Sequence, residues 1–155
     1  MSNDARLNEL KIDLPKAPRP GGTYSPVVQI GSLLYVSGHG PLRNDGSMIT
    51  GRVGSDLTED QGREAARQVG LAILSTLKSH LGSLDRIKRW VKVLGMVNAT
   101  PEFDHHPQVI NGFSDLMVQV FGENGRAARS AVGMGSLPSN IAVEVEAIVE
   151  LNEVE

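Results

Sequence analysis

The sequence predicts one α+β domain in which two helices pack on one face of a mixed, six-stranded sheet. Two apolar stripes with three- and four-residue spacing predict the helices, and short alternating or β-branched segments around them predict the strands. Strands joined through a helix pair in parallel and strands joined by tight turns pair antiparallel, so the sheet must be mixed. With 155 residues, 40% hydrophobic and 21% charged, the chain has the size and composition of one globular domain.

The N-terminal segment predicts an arm over residues 1–19, ahead of a single domain over residues 20–155. Residues 16–22 are rich in proline and glycine, which predicts irregular structure. Charges and prolines stand where a signal peptide needs an apolar core, and no apolar stretch reaches the ~20 residues of a membrane helix. We therefore expect a cytoplasmic protein that does not engage a membrane.

Three strands are predicted before the first helix. Val27–Ile30 and residues 33–37 are the first two, and residues 31–32, with glycine first, form a two-residue hairpin signal between them. Residues 44–47 contain an Asp-Gly pair that favours a tight turn. A short third strand over residues 48–51 is expected after that turn.

The first long helix is predicted to begin after Thr58, which forms a capping box with Gln61. Gly82 is the predicted end, since glycine is the common residue just past a helix. One apolar face, unusually rich in small side chains, runs along it and consists of Ala65, Ala66, Val69, Ala72, Ile73, Thr76 and Leu77. Small side chains predict that this helix lies close to the sheet.

The second helix follows a strand predicted over residues 87–97, in which Gly95 is a candidate bulge. Pro107 suits the first turn of a helix, and Gly122 is a plausible stop. The apolar stripe between them comprises Val109, Ile110, Phe113, Leu116, Met117 and Val120.

Two further strands are predicted over residues 127–134 and 141–151. In the last strand Glu144, Glu146 and Glu150 lie on one side and aliphatic residues on the other. A solvated row of acids is the simpler interpretation. The alternative is an oligomer that covers this side, in which case the carboxylates need partners or raised pKa values.

Composition excludes several kinds of chemistry. The absence of cysteine excludes disulfides, thiolate metal sites and a cysteine nucleophile, and it fits a reducing compartment. The net charge of −3 and the lack of a basic stripe argue against a nucleic-acid partner. His105 and His106 are adjacent and point apart, so they are poorly placed to flank one phosphate or, with Asp104, to hold a metal. We interpret them as a helix-start cluster.

Several short segments together resemble the signatures of the RidA/YjgF family. The segments are residues 22–25 (GTYS), 36–41 (VSGHGP), 128–132 (ARSAV), 137–138 (LP) and 143–147 (VEVEA). The resemblance implies a chorismate-mutase-like fold and a homotrimer with three clefts between subunits. It also implies hydrolysis of reactive enamine/imine acids to keto acids and ammonia, without a metal or organic cofactor. Some members of the family are described as translation-inhibiting endoribonucleases.

The resemblance also implies site residues. Arg129 would bind the carboxylate of a small ligand, because a guanidinium can donate two parallel hydrogen bonds to it. Glu144 would orient or activate the attacking water. Other matching positions that would line the pocket are Tyr24, Ser37, Gly38, Asn111 and Ala131 through its amide. Without the signature, Arg129 reads as a strand arginine paired with a glutamate, and Glu144 as part of the solvated acidic row.

The sequence departs from the family pattern at several positions. Ala131 stands where the better-known deaminases carry cysteine, and His39 and Gly40 stand where glutamine and an aliphatic residue are commoner. His39 is either a general base near neutral pH or a histidine bonded to the backbone. Since no residue is a decisive nucleophile, two alternatives to the deaminase stay open: a protein that binds small carboxylates without turnover, and an endoribonuclease.

Overall fold

The computed structural model describes residues 1–153 and has a five-stranded mixed sheet in the order β1-β2-β5-β3-β4. The strands are β1 (Val27–Ile30), β2 (Leu33–His39), β3 (Ile87–Asn98), β4 (Ala128–Met134) and β5 (Val143–Leu151). The α-helices are α1 (Asn3–Glu9), α2 (Glu59–Leu81) and α3 (His106–Phe121). The α+β class and the mixed sheet are therefore confirmed.

The expected sixth strand over residues 48–51 is wrong. This segment makes two isolated bridges, Met48 to Leu42 and Thr50 to Ile141. A ladder needs successive pairs with the same partner strand, and here the two bridges go to different segments. Gly51 then adopts a φ of 124°, which turns the chain away.

The strand connections explain why the sheet is mixed. β1 and β2 form the predicted hairpin, with Gly31 at a φ of 60° in its turn. β5 pairs antiparallel with both β2 and β3, whereas β3 and β4 pair parallel. α3 is the crossover between β3 and β4, so it lies over the edge of the sheet that β4 forms.

α2 and α3 pack on the same face of the sheet and begin and end as the sequence predicts. The Thr58 hydroxyl accepts from the Gln61 amide at 3.2 Å, and the Gln61 side chain accepts from the Thr58 amide at 2.9 Å. Gly82 and Gly122 are the C-caps, and Pro107 lies in the first turn of α3.

Close approach, not a bulge, explains Gly95. A methyl group at Gly95 would lie 2.7 Å from the Ile110 side chain of α3, so only glycine lets this helix settle on β3. The register irregularities of β3 occur between Ile87 and Lys92 instead, so the expected bulge is misplaced. Gly112 likewise allows α3 to pack closely against α2, since a methyl group there would lie 2.0 Å from the carbonyl oxygen of Arg63.

The N-terminal arm contains a third helix that the sequence analysis did not predict. α1 lies against α3, and its Leu7 is 3% exposed. The Asn3 side chain donates to the Leu84 carbonyl at 2.9 Å. An isolated helix of seven residues is only marginally stable in water, so tertiary contacts must stabilise α1. The sequence of such a helix carries a weak local signal. The division at residues 19 and 20 stays a prediction.

The opposite face of the sheet carries no helix. The acidic row of β5 lies on this face, as its alternation predicts, because the aliphatic residues of the strand are buried beneath α2 and α3. A hollow of about 500 Å³ between Tyr35, Lys92 and Ile148 is mostly apolar. Val28 and Tyr35 are exposed there.

Candidate functional site

Arg129 lies where β4 passes beneath α3. Its register partner Val93 points into the core under the helices, so the Arg129 side chain also points to the helix side of the sheet. Its Nη1 donates to Asn111 Oδ1 at 2.8 Å and to Ser114 Oγ at 3.1 Å. The structure thus brings together Arg129 and Asn111, as the sequence predicts, and adds Ser114, which sequence reasoning missed.

These two bonds leave the other edge of the guanidinium open. Nη1 carries two hydrogens, and Asn111 and Ser114 take both. Within residues 1–153, Nε and Nη2 of Arg129 donate to no protein atom, and no glutamate pairs with this arginine. Partial burial lowers the pKa of Arg129 below its ordinary value, against a smaller opposing effect of Asp115. The group stays cationic at neutral pH.

Ala131 is two residues further along the same strand face. It is half-buried against the core, and Gly133 beyond it faces the His106 ring at the start of α3. A methyl group at Gly133 would lie 2.5 Å from His106 Nε2. Small residues therefore let the start of α3 pack closely on β4 beyond Arg129.

Glu144 lies on the helix-free face and lines a separate hollow of about 210 Å³ with Tyr24 and Gly38. A methyl group at Gly38 would lie 2.7 Å from Glu144 Oε1, so glycine is what allows the carboxyl to sit against the β2 backbone. Burial raises the pKa of Glu144 above its ordinary value, and the nearby Glu146 carboxylate raises it further. Glu144 makes no hydrogen bond or ion pair within the described chain.

Tyr24 and Ser37 are held by the backbone near this hollow. The Tyr24 hydroxyl accepts from the Gly21 amide at 3.1 Å, and the ring is 49% exposed at the rim. The Ser37 hydroxyl donates to the Ser25 carbonyl at 2.6 Å, and its side chain faces the larger apolar hollow. Gly38 and Tyr24 therefore line the space around Glu144, and Ser37 does not.

His39 is the buried histidine bonded to backbone, not an accessible base. Its Nδ1 lies 2.6 Å from the Ser37 carbonyl and its Nε2 2.8 Å from Thr76 Oγ1. A carbonyl oxygen only accepts, so Nδ1 donates to it, and in the neutral ring Nε2 accepts from the Thr76 hydroxyl. Burial lowers the pKa of His39, against a smaller raising effect of the Ser37 bond. The ring spans the irregularity in β2 that turns Gly38 towards Glu144.

One chain does not bring Arg129 and Glu144 together. β3 lies between β4 and β5 in the sheet. Arg129 points to the helix side, whereas Glu144 alternates with the buried Val143 and Val145 and points to the other side. Within a single copy, the predicted residues thus form two half-sites: Arg129, Asn111 and Ala131 form one, and Glu144, Tyr24 and Gly38 form the other.

The wall of the Glu144 hollow contains strained backbone that sequence reasoning missed. Ser139 and Asn140 adopt φ values of 53° and 58°, which side chains rarely take. The buried Asn98 amide holds Asn140, donating to its Oδ1 at 3.0 Å. Two polar residues directly after Pro138 were the available signal, because serine and asparagine favour such turns.

Residues 1–153 contain neither a membrane-spanning helix nor a metal-binding cluster of side chains. Among residues 1–153, none of the helices combines the length and the hydrophobicity that a membrane span requires. No cluster of three or more histidine, aspartate or glutamate side chains could hold a metal there.

The chain is similar to several known proteins. Residues 4–151 match the family model described as "YjgF/chorismate mutase-like, putative endoribonuclease". "Protein TCP17" of Trypanosoma cruzi is 46% identical over 149 residues, covering 96% of this chain and 93% of that protein. A "2-iminobutanoate/2-iminopropanoate deaminase" of Dermatophagoides farinae is 28% identical over 139 residues, covering 89% of this chain and 93% of that protein.

A solved structure from Shewanella oneidensis MR-1, described as "a putative endoribonuclease", superposes with a TM-score of 0.93 at 32% identity. The match covers 97% of this chain and all of that one. The chorismate-mutase-like fold expected from the sequence is confirmed.

The neutral His39 gives a prediction for stability against pH. The pKa of His39 is lower in the folded protein than in the unfolded chain. Between these two pKa values the unfolded chain binds more protons, so the stabilisation that neutral His39 gives the folded state is lost as pH falls below about 6.5. His39→Gln should flatten the fall in the free energy of unfolding between neutral and mildly acidic pH, measured by urea titration. The exposed His80→Gln is the control. An unchanged pH slope in His39→Gln would contradict the assignment.

Proposed function

Because the chain belongs to the YjgF/chorismate mutase-like family, we propose that it hydrolyses reactive enamine/imine acids to keto acids and ammonia. In this reaction water adds to the C=N carbon of a 2-imino acid, the C–N bond breaks, and 2-keto acid and ammonia are released. The observation that carries the proposal is the open Nε and Nη2 edge of Arg129. Water and the chain's own side chains suffice for it.

Arg129 is the proposed anchor for the carboxylate next to the imine. A guanidinium whose Nη1 is already fixed has one orientation left in which Nε and Nη2 donate two parallel bonds to both carboxylate oxygens. Asn111 and Ser114 hold that orientation before a ligand arrives, which lowers the entropy lost on binding. The Ala131 amide is a further donor on the same strand.

Glu144 is the proposed acid–base group. Its raised pKa brings the carboxyl closer to neutral pH, where proton transfer to and from water is most effective. As a carboxylate it would take a proton from the attacking water, and as the acid it would return one to the departing nitrogen. Gly38 leaves room beside it, and Tyr24 would close the hollow.

A second copy of the chain is the proposed means of joining the half-sites. We infer a homotrimer in which the Arg129 half-site of one copy faces the Glu144 half-site of its neighbour. The apolar hollow on the helix-free face, with exposed Val28 and Tyr35, is a surface that such an assembly would cover. A small carboxylate-bearing molecule would bind in each cleft, and the cytoplasm stays the expected compartment.

Binding without turnover is the second candidate. Arg129 supports it equally well, and Ala131 marks a departure from the better-known deaminases. An endoribonuclease is less well supported, although the family description includes that activity. His105 Nδ1 lies 2.7 Å from Glu59 Oε1. The His106 ring instead packs against Phe103 and Gly133, so the two histidine rings do not converge on one phosphate.

Arg129→Ala tests the anchor. With 2-iminobutanoate generated in situ and keto-acid release followed, we expect kcat/KM to fall by roughly 100-fold or more, since two charge-assisted hydrogen bonds are lost. Arg126→Ala is the matched control, because Arg126 is an exposed arginine paired with Glu123 on the same approach to β4. Equal activity in the two variants would overturn the assignment.

Complementation tests the division of the site between copies. Arg129→Ala and Glu144→Gln should each be inactive, the second with keto-acid affinity retained. Mixed after reversible dissociation, they should regain roughly a quarter of wild-type activity, the share of clefts with both intact half-sites in randomly mixed symmetric assemblies. Native mass spectrometry of the mixture, in which the two variants differ in mass, verifies that the copies have exchanged. Mixed assemblies that stay inactive would place both residues in one chain's site.

A further inference from the structure

The hollow in front of Glu144 has a second charged residue in its lining. Arg19, from the segment ahead of β1, borders the same space as Glu144, Tyr24 and Ser139. Prolines, glycines and apolar side chains make up most of the remaining lining, and His39 there is neutral. A cation thus borders a small, largely apolar hollow.

Arg19 has no side-chain partner among residues 1–153. Within residues 1–153 its side chain makes no hydrogen bond, and it pairs with no carboxylate within 4.0 Å, Glu144 included. The two charges line one hollow without neutralising each other. A ligand that enters between them would meet Glu144 at one point and the free guanidinium at another.

The backbone holds Arg19 at the rim. Pro18 precedes it and Pro20 follows it, and the residue before a proline is restricted to extended backbone. Upstream, the Ser75 hydroxyl donates to the Pro15 carbonyl at 2.5 Å. Downstream, the Gly21 amide donates to the Tyr24 hydroxyl at 3.1 Å. The segment is therefore anchored to α2 at its upstream end, and the two prolines and the local Gly21–Tyr24 bond restrict the backbone around Arg19, which lowers the backbone entropy lost when Arg19 binds.

We propose that Arg19 binds a second acidic group of the substrate, so that the preferred substrates are dicarboxylic imino or enamino acids. This inference rests on the proposed function in assigning the carboxylate next to the imine to Arg129 and the reacting carbon to Glu144. A monocarboxylic substrate would leave Arg19 unused. A carboxylate at the far end of the substrate would accept a charge-assisted, forked hydrogen bond from it.

The kinetic test compares two five-carbon imines that differ in the distal carboxylate. An amino-acid oxidase generates 2-iminoglutarate from glutamate and 2-iminopentanoate from norvaline. We expect the wild type to prefer 2-iminoglutarate by about tenfold or more in kcat/KM. Arg19→Gln should lower kcat/KM for 2-iminoglutarate by roughly 10- to 100-fold and change that for 2-iminopentanoate by less than about twofold. Lys16→Gln, on the same segment, is the control.

Equal rates on the two imines, or an equal loss on both in Arg19→Gln, would overturn the inference. A binding measurement keeps it separate from the proposed hydrolysis. Calorimetry with 2-oxoglutarate and 2-oxopentanoate should show tighter binding of 2-oxoglutarate that Arg19→Gln abolishes. That result without turnover of any imine would refute the deaminase and retain the second anchor. Turnover of 2-iminopentanoate with equal affinity for the two keto acids would retain the deaminase and refute the anchor.

Discussion

The parallel pairing of β3 with β4 determines where α3 lies and therefore which side chains surround Arg129. A parallel pair needs a crossover, and α3 provides it, so this helix must lie over the edge strand. Gly95 lets α3 approach β3 closely, and Asn111 and Ser114 are thereby brought within hydrogen-bond distance of Arg129. The orientation of the Arg129 guanidinium thus follows from the strand order and from the glycine at position 95, and not from the residues next to Arg129 in sequence.

The same sheet separates the two proposed half-sites. Alternation along the strands sends Arg129 to the helix side and Glu144 to the open side, and β3 keeps them two strands apart. Each half-site is separately prepared: polar contacts to α3 orient the arginine, and partial burial against Gly38 raises the pKa of Glu144. The neutral His39 ring, on the helix side of the sheet, stabilises the irregular end of β2 through its bonds to the Ser37 carbonyl and to Thr76 of α2.

Local signals predicted most of the fold. The capping box at Thr58 and the helix stripes succeed because they depend on neighbours in sequence. The strand over residues 48–51 fails because strand pairing depends on a distant partner, and α1 was missed because tertiary contacts stabilise it. The resemblance to a family supplied the candidate residues, but their distribution over two faces and the presence of Arg19 in one hollow required the three-dimensional arrangement.

In the proposed mechanism, one ligand bridges the two half-sites across neighbouring copies. The most direct measurement is a crystal structure of the protein with 2-oxobutanoate bound, the keto acid that the proposed hydrolysis of 2-iminobutanoate releases. We expect the carboxylate to lie within hydrogen-bond distance of Nε and Nη2 of Arg129, with the keto carbon facing Glu144 of the adjacent copy. A keto acid bound away from Arg129, or held by a single copy alone, would contradict it.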